Sequence, residues 1–123
     1  MAKKVLIADD EDNIRELVRV SLEDEGYELF EARDGNEAVK KARELAPDLM
    51  ILDVMMPGKV GYQVCEELKS DPKTKGIYIL FLSARGGKPL SEMTGKMQGG
   101  DEFMIKPFEP MELRDRVKEA LKK

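Results

Sequence analysis

The polar residues that could do chemistry in this chain stand where apolar runs stop. Leu49-Met50-Ile51-Leu52 ends on Asp53, and Val54-Met55-Met56-Pro57-Gly58 then turns the chain away. Lys4-Val5-Leu6-Ile7-Ala8 ends on Asp9-Asp10-Glu11-Asp12. The apolar run 77–82 ends on Ser83-Ala84, and Phe103-Met104-Ile105 ends on Lys106-Pro107. A short apolar run bounded by turn residues reads as a buried strand. If these runs are parallel strands of one sheet, their ends share one edge, which is where open α/β sheets bind ligands. Asp9, Asp10 and Asp53 would then meet Lys106 and the Ser83 hydroxyl. Adjacent carboxylates repel, and a cation relieves them. Oxygen donors suit a hard ion such as Mg²⁺, which binds through one or two carboxylates plus phosphate. A nucleophilic carboxylate, a cation, a lysine and a hydroxyl are the parts of a phosphoryl-transfer site, with Asp53 as acceptor.

The elements between these runs must bring the ends together. From Asn13 the apolar period becomes helical, with Ile14, Leu17, Val18 and Leu22 as the inward face, Asp12 or Asp10 as cap, and Gly26 as terminator. A second strand covers 27–32. Asp34-Gly35-Asn36 caps a helix with Ala38, Val39, Ala42 and Leu45 inward, stopped at Pro47. A third helix carries Val64, Cys65 and Leu68 on one face, and Asp71-Pro72 ends it. The segment 90–98 has only weak helical character, with Gly95 inside it. Pro110 opens a last helix, with Leu113, Val117, Ala120 and Leu121 inward. Strand and helix thus alternate five times. That pattern predicts an α/β fold, a doubly wound five-stranded parallel sheet with helices on both faces.

Composition narrows the function classes. A chain of 123 residues is one domain's worth, and 41% hydrophobic against 37% charged residues argues for a folded, soluble domain. No apolar run reaches membrane-span length, and no signal peptide is visible. A single cysteine, Cys65, cannot form an internal disulfide, so a reducing cytoplasm is expected. The net charge of −4 offers no basic surface for nucleic acid. Histidine is absent, so any phosphohistidine must come from a partner.

The segments Ile7-Ala8-Asp9-Asp10-Glu11, Ile51-Leu52-Asp53-Val54-Met55-Met56-Pro57-Gly58, Leu82-Ser83-Ala84 and Ile105-Lys106-Pro107-Phe108 resemble, in order, those of the receiver domains of two-component response regulators, the CheY-like fold. The resemblance spans residues 1–123, a single receiver domain with no output domain. It implies that Asp53 attacks the phosphorus of a phosphohistidine on a histidine kinase or phosphotransfer protein. Asp10 would bind Mg²⁺ (or Mn²⁺) directly, Asp9 mainly through water, and the Met55 main-chain carbonyl would be a further ligand. Lys106 would pair with Asp53 and then with the phosphoryl group, which Ser83 and the Ala84 main-chain N–H would also contact. Phe103 holds the aromatic switch position. The output surface would combine 90–98, the fifth strand and the last helix, and it would engage an unidentified downstream protein. Such a chain is a signalling switch that catalyses only its own phosphorylation and dephosphorylation. It is expected to be a monomer or a weak phosphorylation-dependent dimer, with no direct contact to DNA or membrane.

The sequence departs from the family pattern in three places. Lys59-Val60-Gly61 replaces the common Met-Asp-Gly. About one extra residue lies between Ser83 and Lys106, which leaves the conformation of 88–100 open. Phe103 stands where tyrosine is common. Met55 and Arg85, at the positions that tune acyl-phosphate lifetime, do not obviously orient a water, so self-dephosphorylation should be moderately slow. Other readings of the same residues are an aspartyl-phosphate phosphatase and a flavodoxin-like small-molecule binder. The first usually needs an acid where Met55 stands, and the second a phosphate-cradling loop where Asp9-Asp10 stands. Asp9-Asp10-Glu11-Asp12 taken alone reads better as a solvated turn and helix cap, and only convergence with Asp53 and Lys106 reverses that; Phe103 is equally plain core. Met55, Met56, Met93, Met97 and Met104 could form an adaptable partner surface. Lys118, Lys122 and Lys123 read as a solvated helix end.

Overall fold

Strict two-residue alternation within each apolar run decides the architecture. Leu6, Ala8, Met50, Leu52, Ile79 and Phe81 lie in one buried cluster, whereas Val5, Ile7, Leu49, Ile51, Leu80 and Leu82 lie in another. Each central strand is therefore apolar on both faces and needs helices on both. The computed structural model describes residues 2–56, 58, 60–83 and 101–122. Its elements are β1 (Lys4–Ala8), α1 (Asp12–Leu22), a 3₁₀ turn (Glu23–Glu25), β2 (Glu28–Ala32), α2 (Gly35–Leu45), β3 (Leu49–Asp53), α3 (Gly61–Lys69), β4 (Tyr78–Ser83), β5 (Glu102–Ile105) and α4 (Pro110–Leu121). The five strands form one parallel sheet in the order β2-β1-β3-β4-β5. Ala38, Val39 and Ala42 of α2 and Val64, Cys65 and Leu68 of α3 cover one face. Val18 and Leu22 of α1 and Leu113 and Val117 of α4 cover the other. The expected doubly wound parallel fold is observed; the segment 90–98 lies outside the described residues.

Local chemistry sets the element ends. Asp34 caps α2 by accepting from the Glu37 N–H at 2.8 Å. Ala46 closes α2 in the left-handed region (φ 47°), just before Pro47. Pro110 occupies the first turn of α4, where its missing N–H removes no helical bond. At α1 the structure corrects three expectations. Neither Asp10 nor Asp12 caps the helix: Glu11 is the capping residue and makes no side-chain cap bond. Leu17 is exposed and Ile14 only half-buried, while Arg15, Val18 and Leu22 face inward. The helix is turned so that Arg15 reaches polar groups at the ends of β1 and β2, which lets a guanidinium occupy a buried stripe. Gly26 (φ 82°) ends the 3₁₀ turn rather than α1 itself.

Candidate phosphoryl-transfer site

Register and alternation bring the acids together. Ala8 pairs with Leu52, so the next residues, Asp9 and Asp53, emerge side by side from β1 and β3. Both continue the alternation of the cluster under α1 and α4, as does Lys106, two residues after Met104. The Lys106 ammonium lies 3.0 Å from Asp9 Oδ2 and 3.3 Å from Asp53 Oδ1. Asp9 is fully buried and Asp53 is 4% exposed, whereas Asp10 is exposed. Three carboxylate oxygens, one each from Asp9, Asp10 and Asp53, lie within 4.8 Å of one another.

The backbone holds this group firmly. Glu11 N–H donates to Asp9 Oδ1 at 2.9 Å and Asp9 N–H to the Ala32 carbonyl at 3.1 Å. Met55 N–H donates to Asp53 Oδ1 at 3.4 Å, Val54 N–H to the Leu82 carbonyl at 2.9 Å, and Lys106 N–H to the Ser83 carbonyl at 2.7 Å. Gly61, the first residue of α3, sits directly on the end of β3. Its N–H donates to the Val54 carbonyl at 2.7 Å, and a Cβ there would come within 2.5 Å of the Asp53 carbonyl oxygen.

Burial, and then the neighbouring Asp9, push the Asp53 carboxyl up to about 6, against the weaker pull of Lys106 and the Met55 N–H. Burial works to lower the Lys106 ammonium, but Asp9 and Asp53 outweigh it and hold the group above its ordinary value. Asp9 Oδ2 is buried with Lys106 at ion-pair distance but with no aligned hydrogen-bond donor. A buried carboxylate oxygen whose neighbouring ammonium is not aligned on it, within a set of all-oxygen donors, fits a hard divalent cation.

Ser83 is buried at the end of β4, beside β3, where Leu82 pairs with Asp53. Its alternation follows Phe81, on the other face of the sheet from the acids, and among the described residues its hydroxyl makes no hydrogen bond to the acidic cluster. Phe103 is half-buried and stacks on Phe81, with ring centroids 5.5 Å apart at an interplanar angle of 13°. The Met55 side chain is 66% exposed. Ala84 and Arg85 lie outside the described residues, as do Pro57, Lys59, Met93 and Met97. Met56 and Met104 are buried, so those two cannot belong to a methionine-rich docking surface. Cys65 is buried, and burial pushes its thiol up to about 11, consistent with a small core residue. Lys118 is exposed, as a solvated helix end should be, and lies 3.6 Å from Glu25.

Sequence reasoning missed two residues at this site, Arg15 and Gly61. The signal for Arg15 was its place three before Val18 and seven before Leu22, on the buried stripe of α1. Gly61 was visible only as part of a turn.

The response regulator receiver domain model matches residues 5–118, nearly the whole chain. The chain belongs to the response regulator receiver domain family. It is 41% identical over 123 residues to the alkaline phosphatase synthesis transcriptional regulatory protein PhoP of Bacillus subtilis, covering all of this chain and 50% of that protein. A protein described as a response regulator from Chloroflexus aurantiacus J-10-fl superposes with a TM-score of 0.90 at 36% identity, covering 100% of both chains. The chemotaxis response regulator CheY4 of Vibrio cholerae gives a TM-score of 0.87 at 33% identity, covering 98% of this chain and 99% of that one. The receiver spans about half the length of the curated relatives it matches. Among its described residues, no helix is long and apolar enough to cross a membrane.

Proposed function

We propose that this receiver is a phosphorylatable switch in which Asp53 takes a phosphoryl group from a phosphohistidine of a histidine kinase or phosphotransfer protein. The observation that carries this is the buried Asp53 carboxylate at the end of β3, 3.3 Å from the Lys106 ammonium and clustered with Asp9 and Asp10. An Asp53 oxygen forms the new O–P bond as the P–N bond breaks, and the imidazole leaves with a proton from solvent. Asp9, Asp10 and Asp53, with the Met55 main-chain carbonyl, would hold Mg²⁺, which supplies positive charge to the phosphoryl oxygens. Lys106 exchanges its bond to the Asp53 carboxylate for one to the transferred group. The Ser83 hydroxyl, which makes no hydrogen bond to the acids before transfer, would swing toward the same oxygens, to which the Ala84 N–H would also donate. Phe103, which pairs with Phe81 across the β4–β5 ladder and stacks on it two residues before Ser83, passes the rearrangement to the surface of β5 and α4. The phosphoryl group adds roughly two negative charges, enough to bias a two-state element.

Incubation with acetyl phosphate and Mg²⁺ should add one phosphoryl group by intact mass, and none to Asp53→Ala. Equal labelling of that variant overturns the assignment. The phosphatase reading predicts steady turnover of a phosphomonoester, and no second acid stands at Met55 to support it.

The raised Asp53 carboxyl gives a pH prediction. A proton and the cation compete for Asp53, so Mg²⁺ affinity should weaken as pH falls through about 6 and level off above pH ~7. Calorimetric titration in buffers of different ionisation enthalpy checks this: Mg²⁺ binding should release about half a proton per ion near pH 6 and almost none near pH ~8.

A further inference from the structure

Arg15 is the only buried arginine among the described residues. Its guanidinium forks three ways. Nε donates to Glu31 Oε1 at 3.0 Å, Nη2 to Asp12 Oδ1, and Nη1 to the Asp9 main-chain carbonyl at 2.8 Å. Glu31 is steadied from its other oxygen by Arg19 at 3.2 Å. The fork is thus anchored on α1 and β2, with one donor aimed at the end of β1.

That donor meets the carboxylate cluster through the backbone. The Asp9 carbonyl and the Asp10 N–H belong to one planar peptide, so fixing the carbonyl fixes the direction in which the chain enters Asp10. The Asp10 carboxylate makes no hydrogen bond or ion pair of its own among the described residues. Its place beside Asp9 and Asp53 is therefore set by this peptide and by Asp10's own torsions. We propose that Arg15 is a positioning residue for the divalent-cation site, orienting the Asp9–Asp10 peptide so that the Asp10 carboxylate converges on Asp9 and Asp53. This rests on the reading of those three carboxylates as a Mg²⁺ site. Arg15 is itself a cation, and by Coulomb's law alone its charge opposes Mg²⁺. Positioning and electrostatics therefore predict opposite signs when it is removed.

Mg²⁺ titration of the whole chain by isothermal calorimetry, with the fold monitored by circular dichroism, separates them. Arg15→Ala should bind Mg²⁺ about tenfold more weakly, the usual scale for a lost outer-shell partner. Arg15→Met, which keeps the buried stem and removes the donors, should show the same loss if the alanine variant does not fold. Arg19→Ala removes the same charge from the other side of Glu31 without touching Asp9, and should bind as tightly as the parent or slightly more tightly. Parental or tighter binding by a folded Arg15→Ala or Arg15→Met overturns the inference and leaves the Mg²⁺ site standing. A parent protein that binds no Mg²⁺ removes the site, and the role of Arg15 with it.

Discussion

Asp53→Asn should accept no phosphoryl group and yet, without Mg²⁺ at pH ~7, be more stable than the parent by about 3 kcal/mol. The Asp53 carboxyl has an ordinary value of 3.8 and is held at about 6 in the folded chain. Between those values the folded state binds more protons than the unfolded state, so stability falls as pH rises through that window. Above about 6 the full penalty of a buried, ionised carboxylate beside Asp9 is present, and the neutral amide avoids it. Lys106 keeps its other partner, Asp9, at 3.0 Å. Thermal melts should place the variant on the order of 10 °C above the parent in chelator. The gap should close below pH ~4, where the parent's carboxyl is protonated in both states, and should narrow with Mg²⁺, which binds only the folded parent. A variant melting at or below the parent in chelator at neutral pH would show that the site carries no such strain.

Gly61→Ala should lower stability by about 3 kcal/mol and slow phosphorylation as well. The added Cβ would meet the Asp53 carbonyl oxygen at 2.5 Å and the Val54 Cα at 2.9 Å, and both are backbone atoms that no rotamer change can move. Relief requires α3 to lift or the end of β3 to shift. Either motion displaces Asp53 from Lys106 and strains the 2.7 Å bond between Gly61 N–H and the Val54 carbonyl. Denaturant unfolding measures the first effect, and the rate of acyl-phosphate formation the second. Undisturbed stability and rate together would mean that the end of β3 yields freely.

These residues show what a sequence of this kind reveals and what it withholds. The strands were legible because each central run is apolar on both faces, and their ends carried the chemistry: Asp9, Asp53 and Lys106 meet as expected because alternation and register leave them nowhere else to go. The inward face of α1 was misread. Helical periodicity favoured Leu17, whereas Arg15 is buried because Glu31, in another strand, and the Asp9 carbonyl complete its bonding. No window along the chain contains those partners together. Gly61 shows the same limit, since its need for a bare Cα comes from the approach of α3 to β3 and from nothing in the turn itself.

Lys106 reaches the acids from the edge of the sheet: among the described strands β5 pairs with β4 alone, while Asp9 and Asp53 stand at the ends of the two strands beyond it. One amine is divided between two anions on different strands. An additional anion at Asp53 would draw on the same amine, which Asp9 and Asp53 already share. The edge strand that supplies the amine is where that redistribution would be felt.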